Sequence, residues 1–375
     1  MEIDRSGMNM EQVKRKNRAA IISHLMEFGP ASRKELSETT GLTPAAVTQI
    51  CNSLIEKKIL MEIGTAESEG VGRKQVLVDI DYDYAYLYAI NIEPESVVVA
   101  LSNLKGEAKE VRELPCDKEV PPIDLLHEIS KTAMEMSLEF DELPIRGVSV
   151  GISGIVDKER GVSVRAYGIW KEEVPIKAIL EEELALPVWV ENNVNALAIA
   201  EKAFGLGRET DSIMLIKWGP GVGGSLILDQ KLYEGTDRKA AELGHYIVDK
   251  NGELCTCGRR GCLQTKVSYS ALNKITPFTP ETFGEALQRE DKLKDAMDIF
   301  AKCIVNAITI VSPDYVILCG SLFQQEVVRE ELIKMCKSYD ETIDENKIMY
   351  TSFKEKEYYI GPVAVFDQFA MYYTS

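Results

Sequence analysis

The pattern of apolar positions divides the chain into a helical start and a longer part in which strands and helices alternate. At the start, apolar residues recur at intervals of three and four, which is the spacing of an amphipathic helix. Thr43 and Pro44 mark the start of the third such helix, because threonine caps a helix and proline suits its first turn. Two strand-like runs follow at 59–64 and 75–80, joined by a long polar loop. Three helices and a hairpin in this order predict a winged helix-turn-helix.

From about residue 84 the pattern changes to that of an α/β protein. Three short strand-like runs, an amphipathic helix and a buried strand follow one another, and a related order returns after residue 211. Alternating strands and helices are typical of folds in which helices cover a sheet. We therefore expect a two-lobed α/β body with a cleft between the lobes. The first lobe is predicted over 81–190 and the second over 191–375, with the last helix returning to the first lobe.

The charge of the chain is unevenly distributed. The formal net charge is -17, yet residues 1–80 carry 11 of the 43 basic and 11 of the 60 acidic residues and are neutral as a segment. The body, residues 81–375, therefore carries the whole acidic excess, which repels a polyanion such as DNA. Only the head, residues 1–80, is suited to contact double-stranded DNA.

Membrane insertion and a disulfide framework are both unexpected. No apolar run approaches the roughly 20 residues that a helix needs to cross a bilayer, and residues 1–18 lack the apolar core of a secretion signal. We therefore expect a cytoplasmic protein that makes no membrane contact. Eight cysteines in 375 residues are too few to staple such a chain, and five of them are scattered in apolar contexts where cysteine acts as a small core residue.

The other three cysteines form a candidate metal site with a histidine. His245 precedes Cys255, Cys257 and Cys262 within one short segment. One imidazole and three thiolates are a complete tetrahedral ligand set for Zn²⁺. The alternative is a disulfide or redox pair with a spare thiol, which a reducing compartment disfavours. Because the four ligands leave no open position for water, we expect a structural zinc that stiffens the loop.

This segment also carries a family resemblance. The string GH-x9-CxCGxxGCL resembles the signature of the ROK family (repressors, open reading frames, kinases), as do VWVENNVNALAIAE, WGPGVGGSLI and KLYEG. The resemblance implies an actin-like, ribonuclease-H-type body that forms dimers or tetramers, with a monosaccharide site in the cleft beside the zinc. A winged helix-turn-helix ahead of such a body is similar to the sugar-responsive repressors of this family.

Two positions depart from what the resemblance implies for the kinases of the family. Those kinases carry Asp-x-Gly-Gly-Thr after the first strand, where this chain has Asn91-Ile92-Glu93-Pro94-Glu95. Carboxylates repel phosphate, and proline has no N–H to offer it. The kinases also carry an aspartate as general base where this chain has Asn193, and an amide cannot accept the proton. We therefore expect no catalytic residue and no enzyme, with a sugar kinase fused to a DNA-binding head as the alternative.

The resemblance also implies residues that contact an effector. Glu242 and His245 match the family's sugar-contacting Glu-x-Gly-His, and one imidazole nitrogen would bind zinc while the other faces a hydroxyl. Asn192 and Asn193 have amides that both donate and accept hydrogen bonds. The plain alternatives are a solvated carboxylate for Glu242 and a helix N-cap for Asn193.

Two further departures bear on the identity of the effector. Gln264 stands where the family usually has glutamate, and Tyr167 stands near a usual asparagine. Gln264 keeps an acceptor without the charge, and Tyr167 narrows the cleft. The effector is therefore expected to be a sugar or a sugar phosphate, with a vestigial cleft in a ligand-independent DNA-binding protein as the alternative.

The third predicted helix has the outward residues of a DNA-reading helix. Small, hydroxyl and amide side chains fit the major groove and contact base edges there. Arginine and lysine in the head and in the loop of the hairpin would contact phosphates or enter the minor groove. Contacts with protein instead of DNA are the alternative, since helix-turn-helix folds mediate both. The predicted DNA-binding residues are Arg33, Thr43, Pro44, Ala45, Thr48, Gln49, Asn52, Arg73 and Lys74.

Together these features predict a cytoplasmic, zinc-containing transcriptional regulator. It would repress genes of carbohydrate use, bind a DNA operator as a homodimer or homotetramer, and release it when a sugar-like effector enters the cleft.

Overall fold

The computed structural model describes residues 10–65 and 75–373. Within the first range and the start of the second, three helices pack with a small antiparallel sheet in the order β1-β3-β2, whose hairpin of β2 and β3 follows the helices. This matches the predicted order of helices and hairpin. The elements are α1 (Met10–Phe28), β1 (Ala31–Ser32), α2 (Arg33–Thr40), α3 (Pro44–Glu56), β2 (Leu60–Thr65) and β3 (Val76–Ile80).

The local signals at the start of the chain act as the sequence indicates. The Ser32 hydroxyl accepts a hydrogen bond from the Glu35 backbone N–H at 3.2 Å and caps α2. Gly41 ends α2 in the left-handed region at a φ of 69°. The Thr43 hydroxyl accepts from the Ala46 N–H at 3.3 Å and caps α3. These caps fix the angle between α2 and α3.

The first lobe is built on a five-stranded sheet within residues 86–192, in the order β10-β7-β4-β5-β6. β4, β7 and β10 run parallel, and β5 and β6 extend the sheet as antiparallel strands. A short hairpin, β8–β9, projects from the end of β7. The elements are β4 (Tyr86–Glu93), β5 (Glu95–Asn103), β6 (Ala108–Cys116), α4 (Pro122–Glu139), β7 (Ile145–Ile152), β8 (Ile155–Asp157), β9 (Val162–Arg165), α5 (Ile176–Leu184) and β10 (Val188–Asn192).

The second lobe repeats the scheme within residues 213–350, in the order β13-β12-β11-β14-β15. β11, β14 and β15 are parallel, and β12 returns antiparallel beside β11. The elements are β11 (Ile213–Trp218), β12 (Val222–Leu228), β13 (Lys231–Leu232), α7 (Gln264–Val267), α8 (Tyr269–Asn273), α9 (Phe283–Arg289), α10 (Asp291–Val311), β14 (Tyr315–Cys319), α11 (Glu326–Tyr339) and β15 (Ile348–Tyr350).

Two helices connect the lobes with the head. α6 (Asn193–Phe204) follows β10 and packs on strands of both sheets, and α12 (Ile360–Tyr373) packs on α6 and on the first sheet. α1 contacts both α6 and α12. Apolar residues of the head, such as Leu25, share one hydrophobic core with α6 and α12. The head is therefore packed onto the body and not merely tethered to it. None of the helices in the described ranges combines the length and apolar character that crossing a bilayer requires.

Candidate ligand and metal site

A cleft with a cavity of about 370 Å³ lies between the two lobes. Its first-lobe side is formed by the turn from β4 to β5, by Tyr167 and by the start of α6. Its second-lobe side is formed by the glycine-rich turn between β11 and β12, by Glu242 and His245, and by α7. A cavity of this size, lined by convergent polar groups, is typical of a small-molecule site.

The four predicted metal ligands converge at one end of this cleft. The ligand atoms of His245, Cys255, Cys257 and Cys262 all lie within 4.8 Å of one another. Cys255 Sγ lies 3.5 Å from His245 Nδ1, and Cys257 Sγ lies 3.6 Å from Cys262 Sγ. The donor set and its compactness fit a tetrahedral zinc ion, and no disulfide joins these cysteines.

Two glycines allow the cysteine loop to fold this tightly. Gly258 and Gly261 have φ values of +91° and +70°, in the left-handed region that other residues rarely adopt. A Cβ on Gly261 would also lie 1.6 Å from the Asp249 carbonyl oxygen. The loop therefore requires glycine at 261 for both conformation and space.

The electrostatics of the cluster suit a cation. Burial, assisted by Arg259 and Arg165, lowers the pKa of His245 to about 4, so the ring is neutral and able to act as a ligand. Burial raises the pKa of the Cys257 thiol, but hydrogen bonds from the Arg259 backbone and side chain lower it overall. Burial and the neighbouring Cys257 raise the pKa of Cys262. Adjacent thiolates repel each other, and a divalent cation removes that repulsion.

The second ring nitrogen of His245 faces the cleft. His245 Nε2 lies 3.6 Å from Glu242 Oε2, while its Nδ1 faces the cysteines. The Tyr167 ring meets the imidazole edge-on, with centroids 4.8 Å apart. Burial raises the pKa of Glu242 to about 7. The structure thus places Glu242 and His245 side by side at the cleft wall, with Tyr167 narrowing it.

The two asparagines divide their roles differently from the expectation. Asn192, and not Asn193, is the N-cap of α6: its Oδ1 accepts from the N–H groups of Val194 and Asn195 at 2.9 and 3.0 Å. Its Nδ2 donates to the Gly154 carbonyl at 2.8 Å. The N-cap expectation for Asn193 is wrong by one residue, because α6 starts directly after the last residue of β10, which makes Asn192 the cap. Asn193 is the first helical residue and points its amide into the cleft floor.

A buried ion pair between the lobes forms that floor, and sequence reasoning missed it. Lys217 of β11 pairs with Glu93 at the end of β4, and both side chains are at most 11% exposed. Asn91 and Asn193 donate to the same Glu93 oxygen at 2.7 and 3.1 Å. Burial raises the pKa of Glu93, but Lys217 lowers it overall, so the carboxyl is ionised. The sequence showed Glu93 only as a disrupted phosphate loop and gave no signal that pairs it with Lys217.

Other contacts hold the lobes together at the mouth of the cleft. They join the β8–β9 hairpin to the second lobe. Arg238 Nη1 lies 2.8 Å from Asp157 Oδ1, and Lys158 pairs with Glu234. Arg165 donates to the Thr256 carbonyl at 2.6 Å, which lies in the cysteine loop. The structure therefore shows the lobes in contact at the cleft floor and at the mouth.

Gln264 supports the cysteine loop from α7. Its Nε2 donates to Cys255 Sγ and to the Thr256 hydroxyl, at 3.2 Å each. The amide nitrogen is thus directed to the loop, and the side chain still lines the cleft. Of the predicted effector residues, Glu242, His245, Asn193 and Gln264 all border one cavity, together with the capping Asn192.

The predicted DNA-reading residues share one exposed face of α3. Arg33, predicted to contact a phosphate, donates to Glu62 at 2.9 Å and to Asn52 at 3.3 Å, so it links α2, α3 and β2. Arg73 and Lys74 lie outside the described residues. The exposed set on and before α3 is Thr43, Pro44, Ala45, Thr48, Gln49 and Asn52.

The two lobes and the cleft between them define an α/β protein with the actin-like fold of sugar kinases. The sequence model of the ROK family matches residues 87–368, and the chain belongs to that family. The resemblance drawn from the cysteine motif is thereby confirmed.

Individual ROK proteins resemble the chain to different extents. It is 27% identical over 354 residues to a putative xylose repressor of Caldicellulosiruptor sp. (strain Rt8B.4). The aligned region covers 86% of this chain and 88% of that protein. A solved ROK family transcriptional regulator, a homolog of the E. coli MLC protein, is similar with a TM-score of 0.78 and 21% identity, over 96% of this chain and 97% of that one. A ROK family glucokinase from Streptomyces griseus, solved with glucose and AMPPNP, gives a TM-score of 0.64 and 22% identity, over 76% of this chain and 99% of that one.

Proposed function

We propose that the protein is a DNA-binding transcriptional regulator, a repressor of carbohydrate-use genes, whose cleft binds a sugar-like effector. The observation that carries this proposal is the fused head, residues 1–80, with an exposed, polar face on α3. The similarity to a putative xylose repressor over 86% of this chain supports it. In the proposed division, residues 81–375 form the effector-binding body.

The cysteine loop is proposed to hold a structural Zn²⁺ through His245, Cys255, Cys257 and Cys262. The compact donor set supports this assignment. When bound, zinc would fix the loop and the His245 ring, so that Nε2 keeps its position beside Glu242. The role is therefore to shape the cleft wall.

The effector signal is proposed to reach the head through α6. Asn193 at the start of this helix borders the cleft, and α1 of the head contacts the same helix. A ligand that prefers one arrangement of the lobes would shift the population toward it and reorient the packed head. In a homodimer or homotetramer, two heads then no longer match two half-sites spaced by whole turns of DNA.

A sugar kinase is the rival function, and the cleft floor weighs against it. Glu93 is a buried carboxylate at the end of β4, and Pro94 beside it has no N–H for a phosphate. Asn193 offers an amide that already donates to Glu93. We propose that the protein has no phosphotransferase activity.

Gln49→Ala tests the DNA-reading face. Gln49 is exposed on α3, and loss of a bidentate amide contact to a base should weaken binding of selected DNA about 10- to 100-fold. Fluorescence anisotropy with DNA chosen by the wild-type chain from a random pool measures this. Gln288→Ala, an exposed glutamine on α9, is the matched control and should bind as the wild type does. Equal affinity of Gln49→Ala and the control would contradict this role for α3.

Glu242→Gln tests the effector site. The substitution keeps the shape but removes the charge from a group beside His245. At about pH 8, where Glu242 with its pKa of about 7 is mostly ionised, loss of a charge-assisted hydrogen bond should raise the sugar concentration needed for DNA release about 10- to 100-fold, with DNA affinity unchanged. The readout is DNA anisotropy during titration with D-xylose, D-glucose or N-acetyl-D-glucosamine. An unchanged sugar response would remove Glu242 from the site.

A further inference from the structure

We propose that the cleft selects an uncharged sugar and rejects its phosphate ester, and that the buried Glu93–Lys217 pair sets this preference. The inference rests on the proposed function and specifies the chemical class of its effector. Both charged groups line the cavity.

The cations that line the cleft already have acidic partners. Among the described residues that line it, three are cations, whereas four are carboxylates. Lys217 is paired with Glu93, Arg238 lies 2.8 Å from Asp157, and Lys274 lies 3.6 Å from Glu253. A phosphate monoester carries a charge of about -1.5 to -2 near neutral pH. To gain a counterion it would have to break one of these pairs; the buried Lys217–Glu93 pair resists this most, whereas the exposed Lys274–Glu253 pair is weak.

The cations just behind the wall are likewise engaged. Arg165 donates to the carbonyls of Thr256 and Cys257 at 2.6 and 3.4 Å. Arg259 donates to Cys257. Both arginines are directed at the cysteine loop, so an anion in the cleft would compete with that loop for them.

Several backbone N–H groups at positions that commonly bind phosphate are already engaged. The start of a helix attracts anions through its first N–H groups, but Asn192 Oδ1 already accepts from those of Val194 and Asn195. In the glycine-rich turn, the Gly219 N–H donates to the Gly221 carbonyl at 3.0 Å. The turn after β4 offers Pro94, which has no N–H, and the exposed carboxylate of Glu95. The donors of the cleft floor are therefore largely committed to protein groups, and a phosphate would have to displace those contacts.

The same floor suits hydroxyl groups. A hydroxyl both donates and accepts, so it can donate to the Glu93 carboxylate and accept from the Lys217 ammonium while leaving the pair intact. Asn193 adds an amide on the same oxygen of Glu93. At the opposite wall, the Glu242 carboxyl lies beside His245 and can accept a hydrogen bond from a further hydroxyl of the sugar. Two carboxylates facing one ligand favour a neutral polyol.

Calorimetric titration of the full chain with paired probes tests this inference. The neutral probes are D-xylose, D-glucose and N-acetyl-D-glucosamine, and the charged ones are the matching esters xylose 5-phosphate, glucose 6-phosphate and N-acetylglucosamine 6-phosphate. We expect a neutral sugar to bind at least about tenfold more tightly than its phosphate ester, because like charges brought together cost more than 1.4 kcal/mol. Tighter binding of the ester would overturn the inference and leave the sugar-effector function standing. Binding of none of the probes would contradict that function, and the inference with it.

Glu93→Gln tests whether the Glu93–Lys217 pair causes the preference for the neutral sugar over its phosphate ester. Because Lys217 then lacks its acidic partner, the ratio of the affinity for the sugar to the affinity for the ester should fall at least about tenfold. Glu119→Gln removes an exposed carboxylate that does not line the cavity and is the matched control, with the affinity ratio of sugar to ester unchanged because water screens its charge. If Glu93→Gln proves unstable, the double variant Glu93→Gln/Lys217→Met keeps the floor neutral and should leave the ester rejected. The same affinity ratio in the wild type and in Glu93→Gln would show that the Glu93–Lys217 pair does not determine the preference for the neutral sugar. Binding of the ester by the double variant would show the same.

Discussion

Cys257→Ser should reduce bound zinc from about one ion per chain to less than roughly a tenth of one, since a serine hydroxyl is a poor replacement for a thiolate ligand. Cys257 lies 3.6 Å from Cys262 within the cluster, so its loss leaves three donors. Since metal binding contributes directly to the stability of its loop, the melting temperature should also fall. Elemental analysis and a thermal melt measure the two effects.

The matched control for that experiment is Cys336→Ala. Cys336 is a buried cysteine of α11 outside the cluster, so this variant should retain the full zinc content. It loses only a small core side chain. Full zinc content in Cys257→Ser would contradict the metal assignment, whereas zinc loss in both variants would indicate general unfolding.

Lys217→Met should destabilise the fold by about 3–5 kcal/mol, because it leaves the buried Glu93 carboxylate without its counterion. Both partners are almost fully buried, so water does not replace the lost interaction. The double variant Glu93→Gln/Lys217→Met removes both charges and should recover much of that loss. Urea unfolding measures the free energies of the three proteins.

An exposed ion pair gives the reference for this result. Lys334 on α11 is 77% exposed and lies 3.4 Å from Glu331, so Lys334→Met should change the stability by less than about 1 kcal/mol. If Lys217→Met is as stable as this control, or if the double variant is less stable than the single one, the buried pair does not join the lobes as described.

The strands of the first lobe could be predicted because their patterns are local. β4 is buried along its whole length, and β6 alternates between half-buried and exposed positions, so each leaves a clear pattern in the sequence. The caps at Ser32 and Thr43 are equally local, since each bonds to a backbone N–H three residues away. The metal ligands were found because they lie within one short segment and have distinctive chemistry.

What the sequence could not reveal depends on contacts between distant segments. Lys217 and Glu93 are 124 residues apart in the chain, and neither has a local motif that indicates the other. The contact of Arg165 with the cysteine loop spans 91 residues. The exchange of roles between Asn192 and Asn193 depends on where β10 ends, which is set by its pairing with β7. Such features follow from tertiary packing and not from periodicity.

In the proposed function, a sugar bound in the cleft controls the affinity of the head for DNA. The most direct test is the affinity of the full, zinc-loaded chain for its selected DNA, measured by anisotropy with and without saturating neutral sugar. We predict specific binding without sugar and at least about tenfold weaker binding with an effective sugar, which requires at least a matching preference of that sugar for the DNA-free state. Specific DNA binding that no bound sugar alters, or no specific DNA binding at all, would contradict the account.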